Sequence, residues 1–223
     1  MNPLRAAGAV FGAGILLLSG PVPTSRADEF APVAAPGMVV LVAGPDDGVR
    51  CTLGFPASTR DGRRLAVTAG HCGVERGAFV RDGRHRYLGR VIAMLGDDMR
   101  DQLYGYGVIA IANQTRMTSA ITPTFGYEAV GAGAPGDVVC MFGTTSGREC
   151  GQVSRVGPDW VATTITADHG DSGGPVVRMT DRALLGIVVG GKGDVTTYAP
   201  LGVVEHRAGY AGFDHLAPVF TSR

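Results

Sequence analysis

The sequence lacks an excess of charge of either sign. Its 223 residues include 20 lysines and arginines against 20 aspartates and glutamates, so the formal net charge is zero. Binding to nucleic acid or to an anionic membrane surface depends on clustered positive charge, so neither is expected as a partner. Charged residues make up only 18% of the chain, whereas 35 residues are glycine. This composition disfavours long amphipathic helices and favours short strands joined by tight turns.

Long apolar runs are also scarce. The run Ala9–Leu18 follows Arg5 and is too short to span ~30 Å of hydrocarbon comfortably. Ser25 and Ala27 are small residues at the two positions that signal peptidase reads. We therefore expect residues 1–27 to be a cleaved signal peptide, with a membrane anchor as the alternative. The protein would then be secreted or extracytoplasmic, with no membrane attachment after cleavage.

Cysteine is sparse, and the chain has no CxxC motif. An even number of cysteines in an exported chain favours disulfides over free thiols, and three pairings are conceivable. The simplest pairing is local, within the first half and within the second. The spacing does not suit a zinc site, and we expect neither a metal nor a cofactor. The cysteines are Cys51, Cys72, Cys140 and Cys150.

Short β-rich apolar segments recur along the chain, separated by turn signals. We predict strands at 38–43, 65–68, 78–81, 89–94, 108–112, 137–142, 151–156, 160–164, 175–178, 184–189 and 196–199. No helical period lies between them, so a barrel or sandwich is expected, with a short helix near 205–216.

The domain organisation follows from the same pattern. Residues 28–37 are rich in alanine and proline and are interpreted as a linker or short pro-extension. Residues 38–120 are predicted to form one β-barrel, and residues 121–223 a second barrel and a tail.

Two motifs carry the chemistry. The first is Val67–Cys72, which contains His71, and the second is Gly170–Pro175, which contains Ser172. Taken singly, each has an ordinary structural explanation, as a histidine packed at a strand end and a serine in a glycine-rich turn. Together in a glycine-rich all-β chain they indicate nucleophilic catalysis, since histidine titrates in the range needed to deprotonate a serine hydroxyl.

The glycines around Ser172 suit the second half of that chemistry. A tight turn would point the amide groups of Gly170 and Ser172 into one spot, where they form an oxyanion hole. Each such donor contributes on the order of 3 kcal/mol in other hydrolases. The absent side chains at Gly173 and Gly174 leave room for a substrate backbone.

These motifs resemble the His and Ser boxes of chymotrypsin-like serine peptidases, and the chain is most similar to the streptogrisin-type bacterial branch. The matching segments are 48–55, 65–72, 139–151 and 185–191. The resemblance implies two antiparallel six-stranded β-barrels with the active site between them. It also implies disulfides 51–72 and 140–150 and endopeptidase activity on peptide or protein substrates. We expect a monomer.

The sequence departs from that family at the catalytic acid. Gly105 occupies the slot of the aspartate, and the nearest carboxylates are Asp97, Asp98 and Asp101. We predict that Asp101 orients His71. The alternatives are a weakly active or inactive homologue that binds peptides or proteins in the cleft, and a hydrolase of small esters.

Two further positions bear on the site. Met141 stands where the bacterial members place an arginine near Asp171. Counting back from Ser172 puts Thr166 at the base of the substrate pocket, and Gly190 and Gly191 along its wall. We predict a preference for apolar or aromatic P1 side chains, although Asp168 could attract a cation at the rim.

Overall fold

A computed structural model describes residues 31–44, 48–97 and 104–221, and these form a mostly β structure. The predicted all-β class is confirmed. The predicted signal peptide lies outside the described residues. Within the described part, no helix combines the length and the apolar composition needed to cross a bilayer.

Nineteen short strands and one α-helix make up the regular structure of the described residues. The α-helix, α1, is Leu201–Tyr210, and a single 3-10 turn covers Gly70–Gly73. The strands are β1 Val33–Ala34, β2 Val39–Val42, β3 Val49–Thr52, β4 Phe55–Ser58, β5 Arg64–Ala69, β6 Phe79–Asp82, β7 Tyr87–Leu95, β8 Tyr106–Ile111, β9 Arg116–Met117, β10 Ala120–Thr122, β11 Phe125–Gly126, β12 Ala129–Val130, β13 Val138–Gly143, β14 Gly147–Val156, β15 Val161–Thr163, β16 Pro175–Arg178, β17 Ala183–Lys192, β18 Val195–Pro200 and β19 Ala217–Pro218.

The second half of the chain forms a closed barrel of six antiparallel strands. Their order is β17-β16-β13-β14-β15-β18, and β18 pairs back onto β17 to close the ring. Closure leaves these strands without free edges. Buried side chains, including Met141, Leu185 and Tyr198, fill the interior.

The first half forms a curled sheet rather than a second closed barrel. Its strand order is β19-β4-β5-β8-β7-β6-β2-β3, with β3 at one edge and β4 beside the other. β3 and β4 are nevertheless consecutive in the chain, separated only by Leu53 and Gly54. Among the described strands, no ladder of hydrogen bonds joins β3 to β4, so the sheet is a curled half-barrel where a closed six-stranded barrel was predicted.

One large hydrophobic cluster joins the two sheets. It includes Phe55 and Ile109 from the first sheet and Ile187 from the second, all fully buried. The C-terminal residues return to the same cluster, where Val204 of α1 and Leu216 are buried. The two sheets therefore pack against each other through one shared core.

The described part of the predicted linker is built into the fold. β1 pairs in parallel with β9, and Ala34 is fully buried. The amide of Gly37 donates to the carbonyl of Leu53 over 2.8 Å. Residues 31–37 therefore belong to the folded structure.

Both predicted disulfides are confirmed. Cys51 is bonded to Cys72 with their Cα atoms 6.2 Å apart, and Cys140 to Cys150 at 4.0 Å. The second bond joins directly opposed residues of β13 and β14.

We expect the substitution Gly54→Ala to destabilise the protein. A Cβ at Gly54 would lie 2.5 Å from Cγ2 of Ile187 and 2.7 Å from the carbonyl oxygen of Gly173. Overpacking of this kind costs about 1–3 kcal/mol. The control is Gly202→Ala on α1, where an added Cβ meets nothing within 4 Å and helix propensity favours alanine. Chemical denaturation measures both, and an unchanged midpoint for Gly54→Ala would contradict the close approach of the two sheets.

Candidate active site

His71 lies in the 3-10 turn that follows β5, at the opening between the two sheets. The buried strand β5 delivers the backbone to this point, and the neighbouring Cys72 is tied to Cys51 on β3. The side chain of His71 stays 42% exposed. The ring is thus anchored at its base and accessible at its tip.

A carboxylate contacts the inner nitrogen of this ring. His71 Nδ1 lies 2.6 Å from Oδ2 of Asp97, whose side chain is 15% exposed. The other carboxylate oxygen accepts the amide hydrogen of Gly105 over 2.5 Å. Asp97 follows β7 and Gly105 precedes β8, and the pairing of Leu95 with Tyr106 brings the two loop ends together.

The electrostatics of Asp97 favour its charged form. Burial alone raises the pKa of this carboxyl, but hydrogen bonds from His71 and from the Gly105 amide outweigh it and hold the pKa below its usual value. An ionised Asp97 accepts a hydrogen bond from Nδ1–H, which keeps the ring proton of neutral His71 on Nδ1 and leaves the lone pair on Nε2. A general base needs such a lone pair on the ring nitrogen that Asp97 does not contact.

Gly105 contributes its backbone to the site because no side chain fits at this position. A Cβ there would collide with the carbonyl oxygen of Leu95. Asp101, which the sequence analysis assigned to His71, lies outside the described residues, as does Asp98. The carboxylate that the structure places on His71 is that of Asp97.

The turn around Ser172 has a regular pattern of used and unused amides. The amides of Asp171, Gly173 and Gly174 donate to backbone carbonyls over 2.7–3.0 Å. Among the described residues, nothing accepts a hydrogen bond from the amides of Gly170 and Ser172. Gly170 and Gly173 have φ angles of 100° and 88°, which residues with a side chain rarely adopt. These glycines therefore produce the turn that leaves two neighbouring donors free.

Contacts from the first sheet hold this turn in place. The amide of Thr52 donates to the carbonyl of Ser172 over 2.9 Å, and its hydroxyl donates to the carbonyl of Gly170 over 2.7 Å. Thr68 Oγ1 in turn donates to the Thr52 carbonyl over 2.8 Å. Thr52 and Thr68 are fully buried, so these hydrogen bonds form away from water.

Asp171 is fully buried beside Ser172, and no cation contacts it among the described residues. Its oxygens instead accept hydrogen bonds from the amides of Thr145, Ser146 and Asp168 and from the Ser146 hydroxyl, over 2.6–3.0 Å. Burial opposes the charge, yet these donors keep the pKa below its usual value. Thr145 and Ser146, at the tip of the β13–β14 hairpin, thus stabilise the charge of Asp171. An arginine at the position of Met141 is not needed for this.

A pocket of about 330 Å³ opens beside these groups, lined by both His71 and Ser172. Gly190 and Gly191 line it as predicted, together with Ala167, Val188 and Val189. Asp168 and His169 also face it. Thr166 is exposed and does not line the pocket. Ala167 lines it instead, although the residue count had assigned this position to Thr166.

The one cluster of potential metal ligands in the described residues is Cys51, His71 and Cys72, whose ligand atoms lie within 4.8 Å of one another. Both sulfurs belong to the disulfide, so neither is a thiolate. Asp97 already occupies Nδ1 of His71. The cluster is therefore unsuited to bind a metal ion.

Comparison with known proteins supports the geometry. No family model matches the chain. Serine protease 2 of Streptomyces fradiae is 29% identical over 181 residues, covering 73% of this chain and 97% of that protein. Uncharacterized protein Rv1815 of Mycobacterium tuberculosis is 27% identical over 184 residues, covering 77% of this chain and 78% of the relative. Protease A of Thermobifida fusca matches in structure with a TM-score of 0.64 at 23% identity, covering 85% of this chain and 100% of that one.

The chain has the fold of the bacterial chymotrypsin-like serine proteases. The resemblance seen in the sequence motifs is thereby confirmed, as is the double-barrel architecture with its one closed barrel. In this double barrel, His71 and Asp97 come from the first sheet, and Ser172 comes from the second.

We expect Ser146→Ala to make the protein more sensitive to acid. The stability that ionised Asp171 contributes is complete above the ordinary carboxyl pKa of 3.8 and fades as the pH falls through its lower folded value. Loss of the Ser146 hydroxyl raises that folded pKa, so unfolding should begin at a higher pH. Ser154→Ala is the control, because its hydroxyl donates to the Ala162 carbonyl, which does not titrate. Equal acid midpoints for the two variants would show that Ser146 does not stabilise the charge.

Proposed function

We propose that the protein is an exported serine endopeptidase that cleaves peptide bonds through an acyl-enzyme intermediate. The observation that carries this proposal is the 2.6 Å contact between His71 Nδ1 and Asp97, beside a pocket that His71 and Ser172 both line. The likeness to Serine protease 2 of Streptomyces fradiae supports the same chemistry. The two disulfides suit an oxidising compartment outside the cytoplasm.

In the first half of the reaction, Nε2 of His71 takes the proton of the Ser172 hydroxyl as Oγ attacks the substrate carbonyl. Asp97 keeps the second ring proton on Nδ1 and stabilises the imidazolium that forms. The carbonyl oxygen becomes an oxyanion and accepts hydrogen bonds from the free amides of Gly170 and Ser172. When the C–N bond breaks, His71 returns its proton to the leaving amine, and the acyl group stays on Ser172.

In the second half, water replaces the amine. The water oxygen attacks the acyl carbonyl while His71 takes a proton from the water. The amides of Gly170 and Ser172 then bind the second oxyanion. Collapse of this intermediate returns the proton to Oγ of Ser172 and releases the carboxylic acid. The enzyme is then restored to its starting state.

The non-catalytic alternative rested on the missing acid at Gly105. With the carboxylate of Asp97 on the ring, the absence of a side chain at Gly105 no longer weakens the case for catalysis. No contact of the described residues specifically favours a binding role, so the peptidase is the function we retain.

We expect a fluorophosphonate probe to label the protein and Ser172→Ala to abolish labelling. Asp97→Asn should slow labelling by about 10⁴-fold, since an asparagine no longer fixes the tautomer that leaves Nε2 unprotonated. The rate of probe incorporation at fixed pH measures each variant.

Asp101→Asn serves as the comparison for Asp97→Asn, because it removes the carboxylate that the sequence analysis favoured. A large loss with Asp101→Asn and none with Asp97→Asn would assign the orienting role to Asp101. Labelling that survives Ser172→Ala would place the nucleophile elsewhere.

The pocket favours an apolar P1 side chain. Ala167, Val188 and Val189 supply aliphatic walls, and Gly190 and Gly191 leave the space beside them open. The charged group facing this space is Asp168, which is exposed and whose Oδ1 accepts the amide hydrogen of His169 over 2.6 Å. The charged group of a lysine or arginine side chain that entered the pocket would meet aliphatic walls, which offer it no hydrogen-bond partner.

Substrates that differ only at P1 test this specificity, and we expect kcat/KM to be higher for leucine or phenylalanine than for lysine or arginine. Asp168→Asn keeps the acceptor for the His169 amide and removes the charge, so the preference should not change. A clear preference for basic P1 residues that is lost in Asp168→Asn would contradict the apolar assignment.

A further inference from the structure

Arg207 of α1 reaches from the C-terminal helix to the loop that carries the catalytic acid. Its Nη1 donates to the carbonyl oxygen of Tyr104 over 2.9 Å, and its Nη2 donates to Oδ2 of Asp159 over 2.9 Å. The arginine side chain is only 15% exposed, whereas that of Asp159 is 46% exposed. The guanidinium is therefore held between a backbone carbonyl and a carboxylate in a largely desolvated position.

The carbonyl of Tyr104 and the amide of Gly105 belong to the same peptide group. The oxygen of this peptide accepts from Arg207, and its N–H donates to Oδ1 of Asp97 over 2.5 Å. Asp97 Oδ2 in turn lies 2.6 Å from Nδ1 of His71. A continuous chain of hydrogen bonds thus runs from Arg207 through one peptide and one carboxylate to His71.

Each link in such a chain polarises the next. A cation on the peptide oxygen makes the peptide N–H a stronger donor, so it binds Asp97 more firmly in the orientation that presents Oδ2 to the ring. A bidentate guanidinium suits this task, since its planar fork can hold two acceptors at once. The helix that carries it is fixed, because Val204 and Ala208 on either side of Arg207 are buried in the large hydrophobic cluster.

We infer that Arg207 is a positioning residue for catalysis, which orients Asp97 and His71 through the Tyr104–Gly105 peptide, and that Asp159 holds Arg207 in place. The inference rests on the proposed function only where it predicts a slower reaction of Ser172 in the Arg207 variants. The hydrogen-bond chain itself is a property of the folded protein.

The most direct test is the tautomer of His71 at alkaline pH, read from the ¹⁵N chemical shifts of the ring in histidine-labelled protein. In the wild type we expect the proton on Nδ1. In Arg207→Gln we expect a growing share of the Nε2–H tautomer, together with probe labelling slowed about 10–100-fold, the size of loss found when hydrogen-bond partners of metal-ligating residues are removed. Arg207→Lys keeps the charge but cannot bridge both acceptors, so it should recover part of the loss.

Arg60→Gln is the matched control. Arg60 forms an exposed ion pair with Asp214 at 3.5 Å, so its loss removes an arginine–aspartate contact that does not touch the catalytic loop. Its tautomer and labelling rate should equal those of the wild type. The titratable groups facing His71 in the described residues, Asp97, Asp168 and His169, are the same in every variant.

A folded Arg207→Gln protein with the Nδ1–H tautomer and the labelling rate of the wild type would overturn the inference. If that variant does not fold, Asp159→Ala replaces it, since Asp159 is half exposed and alanine leaves no acceptor for Nη2 of Arg207, and an unchanged tautomer there overturns the network. A tautomer that responds to Arg207→Gln in a protein that no probe labels would support the positioning network and refute the peptidase.

Discussion

The candidate active site depends on one connection between the two sheets, in which Thr52 of β3 binds the backbone of the turn around Ser172. Its amide and hydroxyl hold the carbonyls of Ser172 and Gly170, and the preceding residue, Cys51, is bonded to Cys72 beside His71. His71 and Ser172 are thus linked by a short path of one disulfide and one backbone hydrogen bond. Because the path is buried, water does not compete for these contacts.

Around that connection, backbone amides donate many of the hydrogen bonds that stabilise the carboxylates. Asp97 is held by the amide of Gly105, and Asp171 by amides and a hydroxyl of the β13–β14 hairpin. Amides are fixed by the fold and lose little side-chain entropy when they bind a carboxylate. Asp171 is thus satisfied without a cation, and Asp97 without an arginine or lysine.

Local pattern in the sequence was enough to predict the class of fold, the two disulfides and the pairing of His71 with Ser172. Each predicted strand has a counterpart in the structure, because β-rich apolar segments between turn signals are a local property. The strands β3 and β4 were not predicted, and the closed first barrel was expected from the family resemblance alone.

The remaining site residues depend on loop conformation, which residue counts do not capture. Asp97 is one of three aspartates close together in the sequence, and the pairing of Leu95 with Tyr106 brings it to His71. The glycine at position 105, in the slot of the family's aspartate, was the clue in the sequence that an acid had to come from another position. Thr166 was chosen by counting from Ser172, but the turn places Ala167 against the pocket instead.

A crystal structure of the phosphonylated protein tests the central claim most directly. The account predicts phosphorus on Ser172 Oγ, its oxygen between the amides of Gly170 and Ser172, and Asp97 on His71. Another carboxylate on that ring, or a phosphonyl oxygen away from those amides, would contradict it.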